Sequence, residues 1–283
     1  PPPGDSAMPD APLVPGQPSY RSAIIGGWQL LRQQFKSLAG AIIIFMILLM
    51  IGFIADGILG AISPGNTDLW RLPMYLWIYV ISIGFYHLLA KVIAGQDWAT
   101  GDLLWGVRRA EAWALSLLPA ALATILMAFS GLSVTPGHPL PPDTLTRPDF
   151  WIGMLVSTLI GTFFGYVFML YAAYGATPKS ALKSALHIFS NRLAWLFFPY
   201  VITLIMMLAL VIAAIPVGLF LGLIGFLLKF LATPALMKLV FGVLFLIISV
   251  ALIMAMLMWV YGSLIIATGA LAGPDGQEGR LIT

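Results

Sequence analysis

From Leu193 to Leu228 the chain runs for 36 residues without one formal charge, and its only prolines there are Pro199 and Pro216. As one helix it would reach roughly 54 Å, against a bilayer hydrocarbon layer about 30 Å thick. The run must therefore cross a membrane and turn. The sequence places the corner at Ile215-Pro216-Val217-Gly218, because Pro216 lacks an amide donor and strains the residue before it out of helical geometry. Residues 193–215 then span, and 217–233 lie at or dip into the far face. An unpaired backbone group costs several kcal/mol in lipid, so the expected fold class is all-α, a polytopic integral membrane helix bundle.

Composition agrees with a membrane chain. Hydrophobic residues make up 60% and charged residues 9%, where an ordinary globular domain carries about 25% charged. The net charge of +3 is scattered near span ends and forms no basic groove with interleaved aromatics, so nucleic acid is not an expected partner. With no cysteine, disulfides, thiolate catalysis and cysteine-bound metal are excluded.

Residues 1–19 read as a proline-rich, extended or disordered tail, 20–270 as the membrane domain and 271–283 as a short polar tail. No basic start followed by an early apolar core is visible, so the first span is expected to stay in the membrane uncleaved. Six apolar segments follow, at about 38–61, 73–90, 112–132, 150–171, 193–215 and 236–266, each long enough to cross. A seventh span over 217–233 is the alternative, weakened because only twelve uncharged residues precede Lys229. With a cytoplasmic N-terminus, ten of the fourteen Lys and Arg residues fall inside: Arg21, Arg32, Lys36, Lys91, Arg108, Arg109, Lys179, Lys183, Arg192 and Arg280. That bias fixes the expected orientation. Trp70, Trp77, Trp151 and Trp259, with Tyr75 and Tyr166, read as interfacial anchors.

Three segments of mixed polarity each precede a span. The first carries Trp28, Arg32, Phe35 and Lys36, the second Trp105, Arg108 and Arg109, the third Lys183, His187 and Arg192. In the first, Trp28, Leu31 and Phe35 fall three and four apart, the spacing of an amphipathic helix in the headgroup layer. All three fall on the cytoplasmic side, so the domain parses into three units of interfacial helix plus hairpin, 20–91, 92–175 and 176–270.

The stretch Gly27-Trp28-Gln29-Leu30-Leu31-Arg32-Gln33-Gln34-Phe35 resembles a bacterial six-span inner-membrane group of unknown function. So do the Gly95-Gln96-Asp97-Trp98 to Trp105 loop and Ser180-Ala181-Leu182-Lys183-Ser184-Ala185-Leu186 with Asn191. The chain is also similar to the membrane domain attached to some glycerophosphodiester phosphodiesterases. The resemblance implies a membrane module, in a bacterial inner membrane, whose catalysis belongs to a separate soluble domain.

Asp56 is the foremost ionisable residue within a span, and such a residue warrants a functional hypothesis. A proton or ion path would need it to meet His87 and Lys91, which lie toward the opposite end of the second span. Polar packing accounts for all three more simply. His87 and His187 fall near one side but serve equally as packing and surface residues, and Met254, Met256 and Met258 point apart on a helix, so no cofactor or metal is expected. Gly161 with Gly165, and Gly218 with Gly222, place small residues on one helix face and suit close packing within the chain or against a partner. No phosphate loop, zinc-protease helix or nucleophile elbow is present. The expected function is a non-enzymatic accessory or scaffold subunit that docks a partner membrane complex or organises lipid. The alternative is a small transporter or channel using Asp56 and the Pro216/Gly218 break.

Overall fold

Tyr20 opens a helix, α1, that ends only at Ile62. The computed structural model describes residues 19–62, 67–129, 146–228 and 234–271. After α1 (Tyr20–Ile62) come α2 (Thr67–Ile93), α3 (Ala110–Phe129), α4 (Pro148–Tyr174), α5 (Pro178–Asn191), α6 (Phe198–Leu228) and α7 (Pro234–Leu271), with short 3₁₀ turns at Thr100–Leu104 and Leu193–Phe197. No strand forms among the described residues, so the expected all-helical class holds. The tails at 1–18 and 272–283, and the Lys36 side chain, lie outside the described residues.

Among the described residues, four stretches are long and apolar enough to cross a membrane: Leu38–Leu59, Arg71–Ile93, Phe150–Tyr174 and Ala251–Gly269. A fifth qualifies only as the bent pair Pro178–Asn191 and Leu193–Ala209, whose two halves meet at 108°. The apolar part of α3, Ala110–Leu126, is shorter.

The corner expected at Ile215-Pro216-Val217-Gly218 is absent, because α6 continues through Pro216 to Leu228. The costs explain this. A proline inside a helix costs about 3 kcal/mol, whereas ending one helix and starting another leaves four carbonyls and four N–H groups unpaired, at several kcal/mol each in lipid. The chain turns sharply earlier, beside Arg192, where Tyr20 donates a hydrogen bond to the Ala194 carbonyl and meets Trp195 edge-on at 4.6 Å. Tyr166, fully buried, donates to the Trp195 carbonyl at 2.7 Å.

The three expected interfacial helices fold in three different ways. Residues 27–36 are early turns of α1, and Leu30 and Leu31 are buried in the bundle. Residues 102–109 form a 3₁₀ turn and a loop. Only the third is a separate amphipathic helix, α5. Thr177 caps it by accepting the Ser180 N–H, and Pro178 opens its first turn, where a missing amide donor does no harm. It buries Ala181, Ala185 and Ile188, spaced four and three apart, and exposes Leu182, Lys183, Leu186 and His187.

The core joins α1, α2, α4 and α7. Phe45 stacks on Phe85 at 4.2 Å, Tyr261 meets Phe85 edge-on at 5.4 Å, and Phe168 packs on Tyr79. Two tryptophans expected as interfacial anchors instead bind α1 internally. Trp77 donates to the Leu48 carbonyl at 2.7 Å, and Trp259 to the Ile24 carbonyl at 3.0 Å.

Candidate functional site

The chemistry-bearing side chains collect where the end of α2 meets the loop into α3 and the end of α4. α2 ends at Ile93, the chain turns at Gly95, which takes φ +68°, and it folds back beneath its own helix. Two glycines allow this. A Cβ on Gly84 would stand 2.0 Å from the Leu103 carbonyl oxygen, and one on Gly106 would stand 2.3 Å from that of Val80. Only hydrogen at both positions lets loop backbone lie directly on helix backbone.

The loop is then clamped. Lys91 binds Asp102 at 2.9 Å, and the other oxygen of that carboxylate accepts the Ala99 N–H at 2.9 Å. Burial raises the Asp102 pKa, but the Ala99 and Lys91 hydrogen bonds and the Lys91 charge outweigh it, leaving the carboxyl below its ordinary value. His87, buried, stacks on Trp105 at 4.4 Å with the rings 13° apart. Its Nδ1 lies 3.2 Å from the Ala172 carbonyl; a carbonyl can only accept, so Nδ1 carries the proton. Arg109 covers the Trp105 ring at 4.6 Å. Tyr171 packs against that ring at 5.4 Å and donates to Glu111 at 3.0 Å.

This places His87 and Lys91 together, as the sequence anticipates, and adds Asp102, Trp105, Arg109, Glu111 and Tyr171. Trp105 and Arg109, expected on an interfacial helix, are the centre of the clamp, and Arg108 is exposed on its rim. No sequence signal joins Asp102 to Lys91 or Tyr171 to Glu111, because the two members of each pair lie on different elements. Both carboxylates of the clamp, Asp102 and Glu111, accept hydrogen bonds, and no group of three metal-ligating side chains forms among the described residues.

Asp56 lies elsewhere, half-buried and within electrostatic reach of Tyr75, as is Arg71. From Tyr75 to His87 is about 18 Å along α2, past the fully buried Val80, Ile81, Ile83 and Phe85. His187 is exposed on α5, its ring nitrogens 2.9 and 3.3 Å from Asn191, while His87 is buried against α4. The Arg192 backbone N–H closes α5 onto Ile188. Trp28 is half-exposed but meets Trp259 at 5.4 Å, and Arg32 is exposed.

The glycine pairs lie away from the close helix crossings inside the chain. A Cβ on Gly161, Gly165, Gly218 or Gly222 would meet nothing within 4 Å, so none brings helices together inside the chain. The intimate contacts fall on other glycines. A Cβ on Gly27 would lie 2.7 Å from the Trp259 carbonyl, and one on Gly262 would lie 3.6 Å from the Gly27 Cα, at the crossing of α1 and α7. Spacing within one helix does not reveal such crossings, because each glycine's partner lies on another element.

Comparison of the chain with protein-family models, with curated proteins and with solved structures gives no match.

Proposed function

We propose that the chain is a non-catalytic, six-crossing membrane scaffold whose α6 presents an apolar face to a partner membrane protein, with membrane lipid covering the rest. The observation that carries this is the bareness of α6. Leu204, Leu208, Val211, Ile215 and Leu219, spaced four, three, four and four apart, are each 61–71% exposed. Leaving such side chains in water forgoes about 1.5–3 kcal/mol apiece, so the helix belongs in lipid or against a partner. Gly218 and Gly222, with open space above them, give that partner room to approach.

Six crossings are supported by the contacts at one end of the bundle. Tyr20 reaches the start of α6, Lys91 the loop before α3, His87 the end of α4, and Tyr174 the Ile265 carbonyl of α7 at 2.6 Å. The starts of α1, α3 and α6 and the ends of α2, α4 and α7 therefore share a side. Arg21, Arg32, Lys91, Arg108, Arg109, Lys179, Lys183 and Arg192 share it too, which favours the cytoplasmic face of a bacterial inner membrane. α5 then lies along that surface. Transport through Asp56 and a break at Pro216 loses its second element, since α6 is continuous there.

The test is photocrosslinking in native membranes from single positions on α6 (Leu208, Leu219) and, as controls, on the outer face of α1 (Ile47, Phe53). The expected result is one stoichiometric protein adduct from α6 and lipid adducts from α1. Lipid adducts alone from both helices, with a monodisperse monomer after gentle solubilisation, would refute a partner-docking role.

A further inference from the structure

The cations in the second half of the chain have no acids beside them. Residues 150 to 274 hold five lysines and arginines and not one aspartate or glutamate. Lys91 finds Asp102 in the loop that follows it, whereas Lys179 and Lys183, exposed on α5, have no ion pair or hydrogen bond among the described residues. α5 packs chiefly on α4 and on the Leu193–Phe197 turn. The turn contains no acid, and the sole acid of α4, Asp149, stands at the opposite end of that helix.

The side chains around α5 come in a fixed order. It buries Ala181, Ala185 and Ile188 against the bundle. At about 100° per residue, Phe189, Leu182 and Leu186 come next and share a flank about 60° wide. Lys179 and Lys183 follow, on the side turned away from the bundle. His187 and Asn191, hydrogen-bonded to each other, occupy the far flank. Phe189 fixes which flank faces lipid, because its ring meets Phe163 at 5.0 Å and Tyr166 at 6.4 Å, both within the apolar stretch of α4. The sequence round the helix is thus apolar, cationic, neutral polar, the order of a bilayer surface from acyl chain through phosphate to water.

Lys179 and Lys183 lie four residues apart, so their Cβ atoms are about 5–6 Å from each other and their like charges repel. Lys179 also falls in the first turn, where the helix dipole disfavours a cation and no acid offsets it. An anion between the two ammonium groups relieves both repulsions. A lipid phosphate suits the place better than an acidic protein segment, because acyl chains then cover the leucines beside the lysines. In a zwitterionic headgroup the phosphate is already neutralised, so a net negative lipid is the one that gains.

We propose that α5 binds anionic phospholipid, with Lys179 and Lys183 on the headgroup phosphate and Leu182 and Leu186 against the acyl chains. This rests on the placement of α5 along the cytoplasmic surface and not on the α6 stripe, so either this binding or partner docking can fail alone.

The full chain in neutral detergent, given equimolar phosphatidylglycerol and phosphatidylcholine, should retain phosphatidylglycerol preferentially by native mass spectrometry. A photoactivatable phosphatidylglycerol should label peptides covering 178–193, and inorganic phosphate should not displace it. Lys179→Gln combined with Lys183→Gln should weaken phosphatidylglycerol binding about 20- to 30-fold, at about fivefold per lysine. The unfolding temperature without added lipid should not fall, because neither amine has a partner among the described residues. Arg21→Gln with Arg32→Gln removes the same charge from exposed positions on α1 and should change the binding less than about twofold, since those positions lie outside α5. Equal affinity for the two lipids, displacement by inorganic phosphate, unchanged binding in the lysine double variant, or an equal loss in the arginine one would each overturn the proposal.

Discussion

Replacing Gly84 with alanine tests whether the loop after α2 is seated as described. The added Cβ would lie 2.0 Å from the Leu103 carbonyl oxygen, where carbon and oxygen ordinarily approach to about 3.3 Å. Backbone of the loop must therefore withdraw by roughly 1.3 Å, the difference between those two distances. That movement costs about 1–3 kcal/mol as overpacking. It also loosens the Trp105 stack on His87, a contact of the kind worth about 0.5–1.5 kcal/mol. Helix propensity acts in the opposite direction, by up to about 1 kcal/mol for Gly→Ala. Gly40→Ala isolates that gain, since its Cβ meets nothing within 4 Å. The two variants should differ by about 2–4 kcal/mol, which at about 2–4 °C per kcal/mol separates their unfolding temperatures by at least about 4 °C, with Gly84→Ala lower. Thermal unfolding of the purified chain in detergent, followed by tryptophan fluorescence, reads this directly. Because the chain has no native cysteine, an Ala99→Cys label reports the same event locally and should react faster in the Gly84→Ala background. Equal unfolding temperatures and equal labelling rates would show that the loop does not lie on α2.

Trp105→Ala removes the shared centre of the clamp and should cost about 3–5 kcal/mol, measured by the same unfolding assay; a loss under about 1 kcal/mol would place Trp105 outside the packed structure. Asp102→Asn should cost no more than about 1 kcal/mol at neutral pH, because its ion pair with Lys91 is partly solvated. Its pH dependence has a definite sign. The folded-state pKa is depressed, so the stabilisation is complete above the unfolded value of about 3.9 and is lost as pH falls through the folded value. The stability gap between wild type and Asp102→Asn should thus stay level from pH 8 to 5 and close below about pH 4, and a gap that persists in stronger acid would sink the assignment. For topology, Asp97→Cys and Lys183→Cys should react with an impermeant thiol reagent from one face of sealed vesicles and Ile62→Cys from the other, while labelling of all three from one face would exclude the proposed arrangement.

Hydropathy made part of this fold legible. The first and fourth apolar segments, from Leu38 and from Phe150, each fall within one continuous helix, α1 and α4, and Lys183 and His187 sit on the exposed face of an amphipathic helix as their spacing requires. Periodicity fails where the partner of a residue lies on another element. Trp77 and Trp259 look like residues that seek a headgroup layer, yet each finds a carbonyl of α1. The carbonyls they bind sit beside Gly52 and Gly27, where a Cβ would lie 2.9 Å from the Trp77 ring and 2.7 Å from the Trp259 carbonyl. A tryptophan and a glycine from different helices thus form one unit, and neither is informative alone.

The same reasoning explains why the ionisable residues of the clamp escape a sequence reading. Inside a bundle with so little charge, a lone Lys91 or His87 would bear the full cost of desolvation, so the fold must bring each a partner. The partners come from a loop because a helix face presents side chains at fixed intervals, whereas the turn at 100–109 can offer Asp102 to Lys91 and Trp105 to His87 at once. That turn can reach them only through the gap at Gly84 and Gly106. Charge satisfaction at this end of the bundle therefore depends on two glycines that carry no charge, and it should be lost when either gains a side chain.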